Sequence, residues 1–414
     1  MKSTSLTVRL FQAAPFAIMA LASGCALPDD DQPTTTMTAD EIRVAGNTRA
    51  CTDTFAEVVC HARILVDEFG AIRPNATPAG LSPAQLRSLY GITSNGSTQT
   101  TVAIVDSNGY PNALRDLQMY RSTFGLPGIV KCAAGSTHPC LAVVNQTGGT
   151  GLPAFDLGWA QETALDLDMV SAICPNCNIL LVEGTSPTFG NLATAANTAA
   201  SNTAATGTGA HAVAVSNSYG GGESGTTSFS ASYTHPGVAV TASSGDSGFA
   251  GGPQFPATSP GVIAVGGTSV HLGSSPRETV WSGAGSGCST VYSKPSWQHD
   301  SGCTRRMEAD IAAVADPNTG VAVFAPTSST ASSFFVFGGT SVAAPVIAGI
   351  VGTTGTGVDP STIYARISAN PSLRFDVTSG TNGPCSGKPT YFCNGVTGFD
   401  GPTGLGTPVG PGAL

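Results

Sequence analysis

The chain has 414 residues with 26 acidic and 17 basic side chains, a formal net charge of −9 and only 10% charged residues. A hydrophobic content of 41% can build a sizeable core and excludes an intrinsically disordered protein. The few Lys and Arg residues form no clusters, which argues against nucleic acid as a partner and against membrane attachment through basic residues.

Residues 1–24 predict a signal peptide. Two basic residues precede an apolar stretch over residues 10–22 that is too short to span a bilayer comfortably, and small residues follow it. Cys25 comes next, so it is a candidate for the lipidated cysteine of a lipoprotein. Ala22 is a poor first residue for that motif, and ordinary cleavage without a lipid is favoured. We expect a secreted, extracellular monomer, with a lipid on Cys25 as the alternative that would anchor it at the cell surface.

The remaining ten cysteines form an even set, which is typical of an oxidising compartment. They predict five short-loop disulfides between sequence neighbours: Cys51/Cys60, Cys132/Cys140, Cys174/Cys177, Cys288/Cys303 and Cys385/Cys393. The Cys174-Pro-Asn-Cys177 motif could instead be redox-active or form half of a zinc site. The sequence has no second C-x-x-C motif and no histidine at ligand spacing from this one, so a disulfide is favoured.

The chain divides into a short N-terminal segment and one large domain. Residues 25–78 predict a polar linker and a small disulfide-bracketed piece, and residues 79–414 predict the main domain. In that domain apolar, β-branched runs alternate with helical patterns. The runs lie at residues 101–105, 178–182, 211–215, 238–242, 262–265 and 321–324, and helical patterns begin near residues 112, 159, 191 and 341. This alternation predicts an α/β fold with a doubly wound, mostly parallel sheet that helices cover on both faces.

The helical pattern over residues 159–173 carries two acids in its apolar stripe. Glu162 and Asp166 are four residues apart, so their charges repel, and burial raises this cost until the pair shares a proton. General acid–base chemistry is one reason to bury such a pair. The alternative is a solvent-exposed helix with scattered acids, Asp168 among them, and this pattern alone is equally compatible with it.

A serine stands at the predicted start of the last apolar helix. Residues 338–345, with the sequence GGTSVAAP, follow an aromatic run at residues 334–337. Ser341 would present its hydroxyl where free backbone N–H groups and the positive end of the helix dipole converge. That position suits a nucleophile that generates an oxyanion, whereas an N-cap serine is the simpler alternative. The complete motif favours the nucleophile, because a cap requires only one residue.

The motif G-T-S-x-x-x-P at residues 339–345 resembles the nucleophile motif of the subtilisin-like peptidases. Their general base is a histidine in a motif of the H-G-T-H type, but none of the six histidines of this chain precedes a glycine. The sedolisins, or serine-carboxyl peptidases, use a carboxylate base instead, and four further segments resemble theirs in the same order. These segments are residues 102–106 (VAIVD), 159–166 (WAQETALD), 216–220 (SNSYG) and 243–248 (SSGDSG). The resemblance spans about residues 79–410 and implies a subtilisin-like fold.

The resemblance also implies catalytic roles. Ser341 would be the nucleophile, and Glu162 the general base that takes its proton. Asp166 would hydrogen-bond Glu162 and orient it. Asp246 would donate a hydrogen bond to the oxyanion beside the Ser341 N–H, which requires a protonated carboxyl. The resemblance therefore implies a secreted endopeptidase that cuts protein or peptide substrates at acid pH, with Asp106 as a candidate for a supporting position only.

A calcium site is implied near the C-terminus. Asp376-Val377 and residues 398–406 resemble the calcium-binding segments of the family. By this match, one structural Ca²⁺ would bind the side chains of Asp376 and Asp400 and the carbonyl oxygens of Val377 and Gly398. An all-oxygen set of this kind suits calcium. The simpler alternative is a glycine-rich turn with two solvated aspartates.

Other functions stay open at this point. The region before residue 79 is too short for the usual prosegment of the family, so no maturation site is assigned. A tripeptidyl-type exopeptidase of the same family is one alternative, since no motif identifies the substrate subsites. Another is a non-catalytic secreted binding protein on this scaffold, or a lipid-anchored protein whose acidic loops only bind calcium. Retention of all four predicted catalytic residues argues against the non-catalytic binding protein, and the lipid-anchored protein stays open.

Overall fold

The computed structural model of the protein describes residues 46–52, 56–209, 211–275 and 277–414. The predicted signal peptide, Cys25 and most of the predicted linker lie outside the described residues. None of the helices in these four ranges is both long and apolar enough to cross a bilayer.

In chain order the strands are β1 (Asn47–Arg49), β2 (Val59–Cys60), β3 (Arg63–Leu65), β4 (Thr101–Ser107), β5 (Val130–Lys131), β6 (Cys140–Asn145), β7 (Asn178–Gly184), β8 (Ala214–Asn217), β9 (Tyr219–Gly222), β10 (Ala239–Ser243), β11 (Gln254–Phe255), β12 (Ile263–Val270), β13 (Glu278–Val280), β14 (Gly287–Ser293), β15 (Arg305–Glu308), β16 (Ile311–Val314), β17 (Val321–Pro326), β18 (Ser332–Gly338), β19 (Arg374–Phe375) and β20 (Thr407–Pro408). The α-helices are α1 (Pro83–Leu89), α2 (Ala113–Thr123), α3 (Leu157–Ile173), α4 (Phe189–Ser201), α5 (Thr340–Thr354) and α6 (Pro360–Ala369).

Nine of the described strands form the central sheet, in the order β13-β12-β10-β8-β4-β7-β6-β5, with β16 paired to β12. All of its pairs are parallel except β12 with β13. At its centre Ile104 of β4 lies between Leu181 of β7 and Ser216 of β8. Every residue of β4 and β7 is buried, as parallel strands covered on both faces require. The predicted α/β fold with a mostly parallel sheet is confirmed.

Helix α3 runs through the interior of the fold. It packs against α2, α5 and β17, and all of its residues from Trp159 to Ile173 are buried. The Asp156 side chain caps its first turn by accepting a hydrogen bond from the Trp159 N–H at 2.9 Å. Even Asp168 is buried, and it accepts a hydrogen bond from the Phe324 N–H at 2.9 Å. The alternative of a solvent-exposed helix is therefore wrong, and the helix is buried on every side rather than along one stripe.

The described part of the N-terminal segment pairs with strands of the main body. β1 and β3 extend an antiparallel sheet in the order β1-β3-β18-β17, and β2 lies on β9 in the order β11-β9-β2. The apolar run at residues 321–324 forms part of β17 in the first of these sheets, outside the central one. Only Gly339 lies between the end of its partner β18 and the start of α5, so this sheet fixes the start of that helix.

The five predicted disulfides are present, namely Cys51–Cys60, Cys132–Cys140, Cys174–Cys177, Cys288–Cys303 and Cys385–Cys393. The Cys174-Pro-Asn-Cys177 motif joins the end of α3 to the start of β7. It therefore closes a structural connection between two core elements.

Candidate active site

Ser341 is the second residue of α5 and is fully buried. Gly339 precedes the helix with a φ of 91°, a conformation that favours glycine. Pro345, one turn into the helix, lacks the N–H that would otherwise bind the Ser341 carbonyl oxygen. The Ser218 hydroxyl donates to this oxygen at 3.4 Å, and the Ser341 hydroxyl donates to the Ser218 carbonyl oxygen at 3.2 Å. These reciprocal bonds hold the serine against the residue that precedes β9.

Glu162 and Asp166 lie on α3, are fully buried and reach the same cleft as Ser341. Glu162 Oε2 accepts the Ala62 N–H at 2.8 Å, and Asp166 Oδ1 accepts the Ser218 hydroxyl at 2.8 Å. Glu162 Oε1 and Asp166 Oδ2 have no hydrogen-bond partner within the described ranges. The expected bond between the two acids is not formed there, because Asp166 is bound to Ser218 instead. Ser218 thus connects Asp166 to Ser341.

Three buried carboxyls share this site, because Asp106 near the end of β4 joins the two acids of α3. Burial raises the pKa of Glu162 and the charge of Asp106 adds to this effect, whereas the nearby Ser341 hydroxyl favours the charged form. Burial, Asp106 and Glu162 likewise raise the pKa of Asp166. Burial raises the pKa of Asp106 to about 7. Ionising all three at once is unfavourable, so the cluster retains protons well above the usual range of a carboxyl.

Asp246 lies on the loop after β10 and faces the start of α5. Its Oδ1 accepts hydrogen bonds from the Thr340 N–H at 2.8 Å and from the Thr340 hydroxyl at 3.0 Å. Its Oδ2 lies 3.3 Å from Arg63 Nε. Burial raises the pKa of Asp246 to about 6, and Arg63 opposes this shift. A Cβ atom at Gly339 would come within 2.7 Å of Asp246 Oδ2, so only a glycine there lets the carboxyl approach the backbone next to Ser341.

Several known proteins are similar to this chain in sequence and in fold. The model of the subtilase family matches residues 141–362. Sedolisin from Pseudomonas sp. (strain 101) is 35% identical over 175 residues, which cover 37% of this chain and 28% of that protein. Kumamolisin from Bacillus sp. (strain MN-32) is 28% identical over 383 residues, which cover 83% of this chain and 64% of that protein. A solved structure of Pseudomonas sedolisin, a serine-carboxyl proteinase complexed with pseudo-iodotyrostatin, matches with a TM-score of 0.65 and 28% identity, covering 80% of this chain and 96% of that one.

The chain belongs to the sedolisin family of the subtilases. The subtilase model covers more than half of it, and the alignments with sedolisin and kumamolisin span less than two thirds of the length of either relative. In this sedolisin the four residues predicted from sequence come from three separate parts of the chain. Helix α3, the loop after β10 and the start of α5 bring them to one buried cleft.

The sedolisin-like loop predicted to bind calcium gathers its oxygens around an arginine. Asp376 Oδ1 lies 2.6 Å from Arg374 Nη1, and Asp376 Oδ2 accepts the Gly398 N–H at 2.9 Å. Arg374 Nη1 also donates to the carbonyl oxygen of Gly398 at 3.1 Å and to that of Leu405. Asp400 accepts the N–H and the hydroxyl of the residue three positions later. The donors fit Ca²⁺ in type, but Arg374 already places a positive charge on two of the predicted ligands.

Val377, the fourth predicted ligand, is buried, and a Cβ atom at Gly395 would come within 3.0 Å of its carbonyl oxygen. Within the part of the chain that the structure describes, no group of three or more His, Cys, Asp or Glu residues could hold a metal ion. A calcium ion would therefore depend on two carboxylates and on backbone carbonyl oxygens, and it would have to displace Arg374.

Some contacts of this site could not be predicted from the sequence. Ser218 lies in the segment that resembles the family's cleft, but its position between Asp166 and Ser341 was not predicted. Arg63 contacts Asp246 from the short N-terminal segment. None of the histidines hydrogen-bonds Ser341 in the described ranges. One of them, His61, is nevertheless buried in the cleft.

Proposed function

We propose that this chain is a serine-carboxyl endopeptidase that hydrolyses peptide bonds of proteins at acid pH. One observation carries the proposal. The Ser341 hydroxyl favours the charged form of a fully buried carboxyl, Glu162, whose Oε1 has no hydrogen-bond partner among the described residues and whose Oε2 accepts a backbone N–H. A nucleophile, a base with a free oxygen and a bound peptide group are the parts that acyl transfer requires.

In this mechanism Glu162 takes the proton of Ser341 as the hydroxyl oxygen attacks the carbonyl carbon of the substrate. Glu162 then returns that proton to the leaving nitrogen, and water hydrolyses the acyl-enzyme. Asp166 acts as a positioning residue through Ser218, which it binds at 2.8 Å. Asp106 affects the proton affinity of both acids of α3 through its charge.

The acid pH range follows from Asp246. To donate a hydrogen bond to the oxyanion, its carboxyl must be protonated, and its pKa is about 6. Above that pH its negative charge would repel the developing oxyanion. We therefore expect the highest activity clearly below neutral pH and a decline above about pH 6.

The direct test is cleavage of casein or denatured haemoglobin from about pH 3 to about pH 8. We expect activity at acid pH in the wild-type chain and none above background in Ser341→Ala. Ser329→Ala, at an exposed position, is the matched control and should cleave like the wild type. Activity that survives Ser341→Ala would remove the peptidase assignment from this site, and a best activity near pH 8 would contradict the protonated Asp246.

The position at which substrates are cut distinguishes the proposed endopeptidase from the alternative, a tripeptidyl-type exopeptidase. An exopeptidase needs a wall three residues before the bond that is cut. Here β9, the middle strand of the β11-β9-β2 sheet, instead pairs with the extended strand β2, and the Glu57 carbonyl oxygen lies close to Gly221 of β9. This open path favours the endopeptidase. Mass spectrometry of the products decides, because internal fragments support this proposal and a ladder of tripeptides supports the alternative. A pure binding protein would yield no products at any pH.

We also infer that the C-terminal loop binds one Ca²⁺ through Asp376, Asp400 and the carbonyl oxygens of Val377 and Gly398. Arg374 would compete with the ion for Asp376 and Gly398. Adding Ca²⁺ should therefore raise Tm, and Arg374→Gln should enlarge this rise because it removes the competitor. A Tm that neither Ca²⁺ nor a chelator changes would contradict the site, and Asp376→Asn should abolish the effect.

We also propose that the protein is secreted and lies outside the cell. Five disulfides are typical of an oxidising compartment, which agrees with secretion directed by the predicted signal at residues 1–24. The proposed partners are protein or peptide substrates of a monomeric enzyme.

A further inference from the structure

The acid loop, residues 244–249, carries Asp246 and is bound by the support loop, residues 283–286. Three hydrogen bonds join the two loops: the Gly285 N–H donates to the Gly245 carbonyl oxygen at 2.7 Å, the Gly248 N–H to the Gly283 carbonyl oxygen at 2.9 Å, and the Ser244 hydroxyl to the Gly285 carbonyl oxygen at 2.9 Å. The bonds lie before and after Asp246 in the sequence. They therefore fix the backbone on both sides of its carboxyl.

Asn382 holds the support loop through both hydrogens of its side-chain amide. The residue is 3% exposed, and its Nδ2 donates to the Ala284 carbonyl oxygen at 2.7 Å and to the Ser286 hydroxyl at 2.8 Å. The Ser286 hydroxyl gives its own hydrogen to the Phe392 carbonyl oxygen at 2.8 Å, so it can only accept from Asn382. A carbonyl oxygen likewise only accepts. Both contacts therefore require the N–H donors of an amide at position 382.

The backbone of Asn382 also contacts the acid loop directly. Its carbonyl oxygen accepts the Phe249 N–H at 3.0 Å. Gly248 has a φ of 60°, and a Cβ atom there would come within 2.4 Å of the same oxygen, so this close approach requires a glycine. The ring of Phe249 packs edge-on against that of Phe392, with 6.3 Å between the ring centroids. Asn382 thus binds the acid loop with its backbone and supports it through a second loop with its side chain.

Asn382 is itself fixed by a segment near the C-terminus that folds back on itself. Its N–H donates to the Cys393 carbonyl oxygen at 2.9 Å, and the Gly395 N–H donates to the Gly380 carbonyl oxygen at 3.0 Å. The disulfide between Cys385 and Cys393 links the segment covalently. The support for the acid loop therefore comes from a cross-linked part of the chain that is distant in sequence.

We propose that Asn382 is a positioning residue for the oxyanion donor Asp246 and acts on it through the support loop. This inference rests on the proposed function. A donor stabilises the oxyanion only when it lies within hydrogen-bond distance of that oxygen, and a misplacement of about 1 Å can cost about a hundredfold in rate. The support loop binds both hydrogens of the Asn382 amide, so the residue affects the reaction through Asp246 and not by touching the substrate.

The first test is Asn382→Leu, which keeps the approximate volume of the side chain and removes both hydrogens. With fluorescent casein at about pH 4, kcat should fall about tenfold or more while KM changes less than about twofold, because the oxyanion forms only in the transition state. Asn197→Leu, at an exposed position of α4, is the matched control and should behave like the wild type.

The possible failures of this test are distinguishable. A kcat of Asn382→Leu equal to that of Asn197→Leu overturns the positioning role and leaves the proposed function standing. A raised KM with an unchanged kcat does the same, because it shows a loss of substrate binding. Absence of cleavage that depends on Ser341 in the wild-type chain overturns both proposals.

A double-mutant cycle shows whether Asn382 acts through Asp246. Asp246→Ala removes the proposed donor, and without the donor its correct position has no value. The losses in kcat from Asp246→Ala and Asn382→Leu should therefore combine to less than their product in the double variant. Losses that multiply fully would show a general structural role for Asn382 and overturn the inference.

A binding measurement keeps the inference testable if part of the Asn382→Leu protein is unfolded. The probe is a tripeptide aldehyde built from the residues before the most frequent casein cut, because Ser341 adds to an aldehyde and places its oxygen at the oxyanion position. Calorimetric titration should show affinity for the aldehyde weakened about tenfold or more in Asn382→Leu, and affinity for the corresponding alcohol changed less than about twofold. Unfolded molecules lower only the stoichiometry. Equal weakening of both ligands overturns the inference.

Discussion

Two groups of buried acids in this protein differ in their partners. Asp310 and Arg306 have fully buried side chains, and the guanidinium binds both carboxylate oxygens. The Tyr364 hydroxyl at 2.9 Å and the Ala264 N–H at 2.8 Å donate to the same carboxylate. An acid whose oxygens are saturated with donors, one of them a cation, has no free position for a reacting proton.

Glu162 and Asp166 are buried to the same degree, but in the described ranges they accept hydrogen bonds from the neutral donors Ala62 and Ser218, and each keeps one oxygen free. Burial raises the pKa of both. Asp310, whose two oxygens are both bound by a guanidinium, is therefore a structural part of this protein, whereas Glu162 and Asp166, among neutral donors, are able to exchange protons. Substitutions that affect only stability or only activity can test this distinction.

The largest effect should come from Glu162→Gln, which keeps the shape of the side chain and removes the base. Activity on casein should fall roughly 10³-fold. Stability should be unchanged or higher, because the wild-type carboxyl is disfavoured by burial in its charged form. Kinetics at acid pH and Tm measure the two quantities. Glu68→Gln, at an exposed position, is the control, and a Glu162→Gln chain within about tenfold of the control would remove the base assignment.

Asp310→Asn should have the opposite profile. It leaves the buried Arg306 without its charge partner, so the free energy of unfolding should fall by about 3–5 kcal/mol. The activity of the molecules that remain folded should not change. Denaturant unfolding measures the first quantity, and activity per folded molecule the second. Asp359→Asn is the exposed control, and a loss of activity without a loss of stability would contradict the structural role.

Buried carboxyls with raised pKa values should also set how the stability of this protein depends on pH. Burial raises the pKa of Asp106 and of Glu183 to about 7 and that of Asp246 to about 6. In the unfolded chain these groups titrate near pH 4, so between about pH 4 and about pH 7 the folded state binds more protons. Their stabilisation is complete below about pH 4 and is lost as the pH rises through the folded pKa values.

We therefore expect the free energy of unfolding to fall between about pH 4 and about pH 7, by an amount on the order of 3 kcal/mol for each of these carboxyls. Denaturant titrations at several pH values measure this slope, and Asp106→Asn should flatten it. A stability that rises toward neutral pH would refute the assignment of raised pKa values to these carboxyls.

Local sequence features explain why part of the site could be predicted. Helix geometry alone predicts that Glu162 and Asp166, four residues apart, lie on the same face of a helix. Helix α3 begins at Leu157, close to the predicted residue 159. The position of Ser341 at a helix start is equally local, since the glycines before it and the small apolar residues after it lie within one short motif. These parts of the fold are encoded by neighbouring residues.

Other parts depend on contacts between distant residues. Ala62 and Glu162 are 100 residues apart in sequence, and Arg63 and Asp246 are 183 apart. These contacts exist because β3 pairs with β18, which requires the whole fold to form first. Periodicity describes only which face of an element is apolar and gives no information about such pairings. For the same reason Arg374 could not be predicted to bind the carbonyl oxygen of a residue 24 positions later.

The smallest expected effect concerns Asp246, an acid of the cleft that contacts a cation. Arg63 lies 3.3 Å from Asp246 and lowers its pKa against the effect of burial. In Arg63→Gln the pKa of Asp246 should rise above its value of about 6, so the protonated donor should persist to higher pH. The upper limb of the pH–rate profile of casein cleavage should then move toward neutral pH. Arg73→Gln, which removes an arginine with a largely exposed side chain from its pair with Asp67, is the matched control. An unshifted limb in Arg63→Gln would mean that Asp246 does not set it, because removing a cation from a buried carboxyl must favour its protonated form.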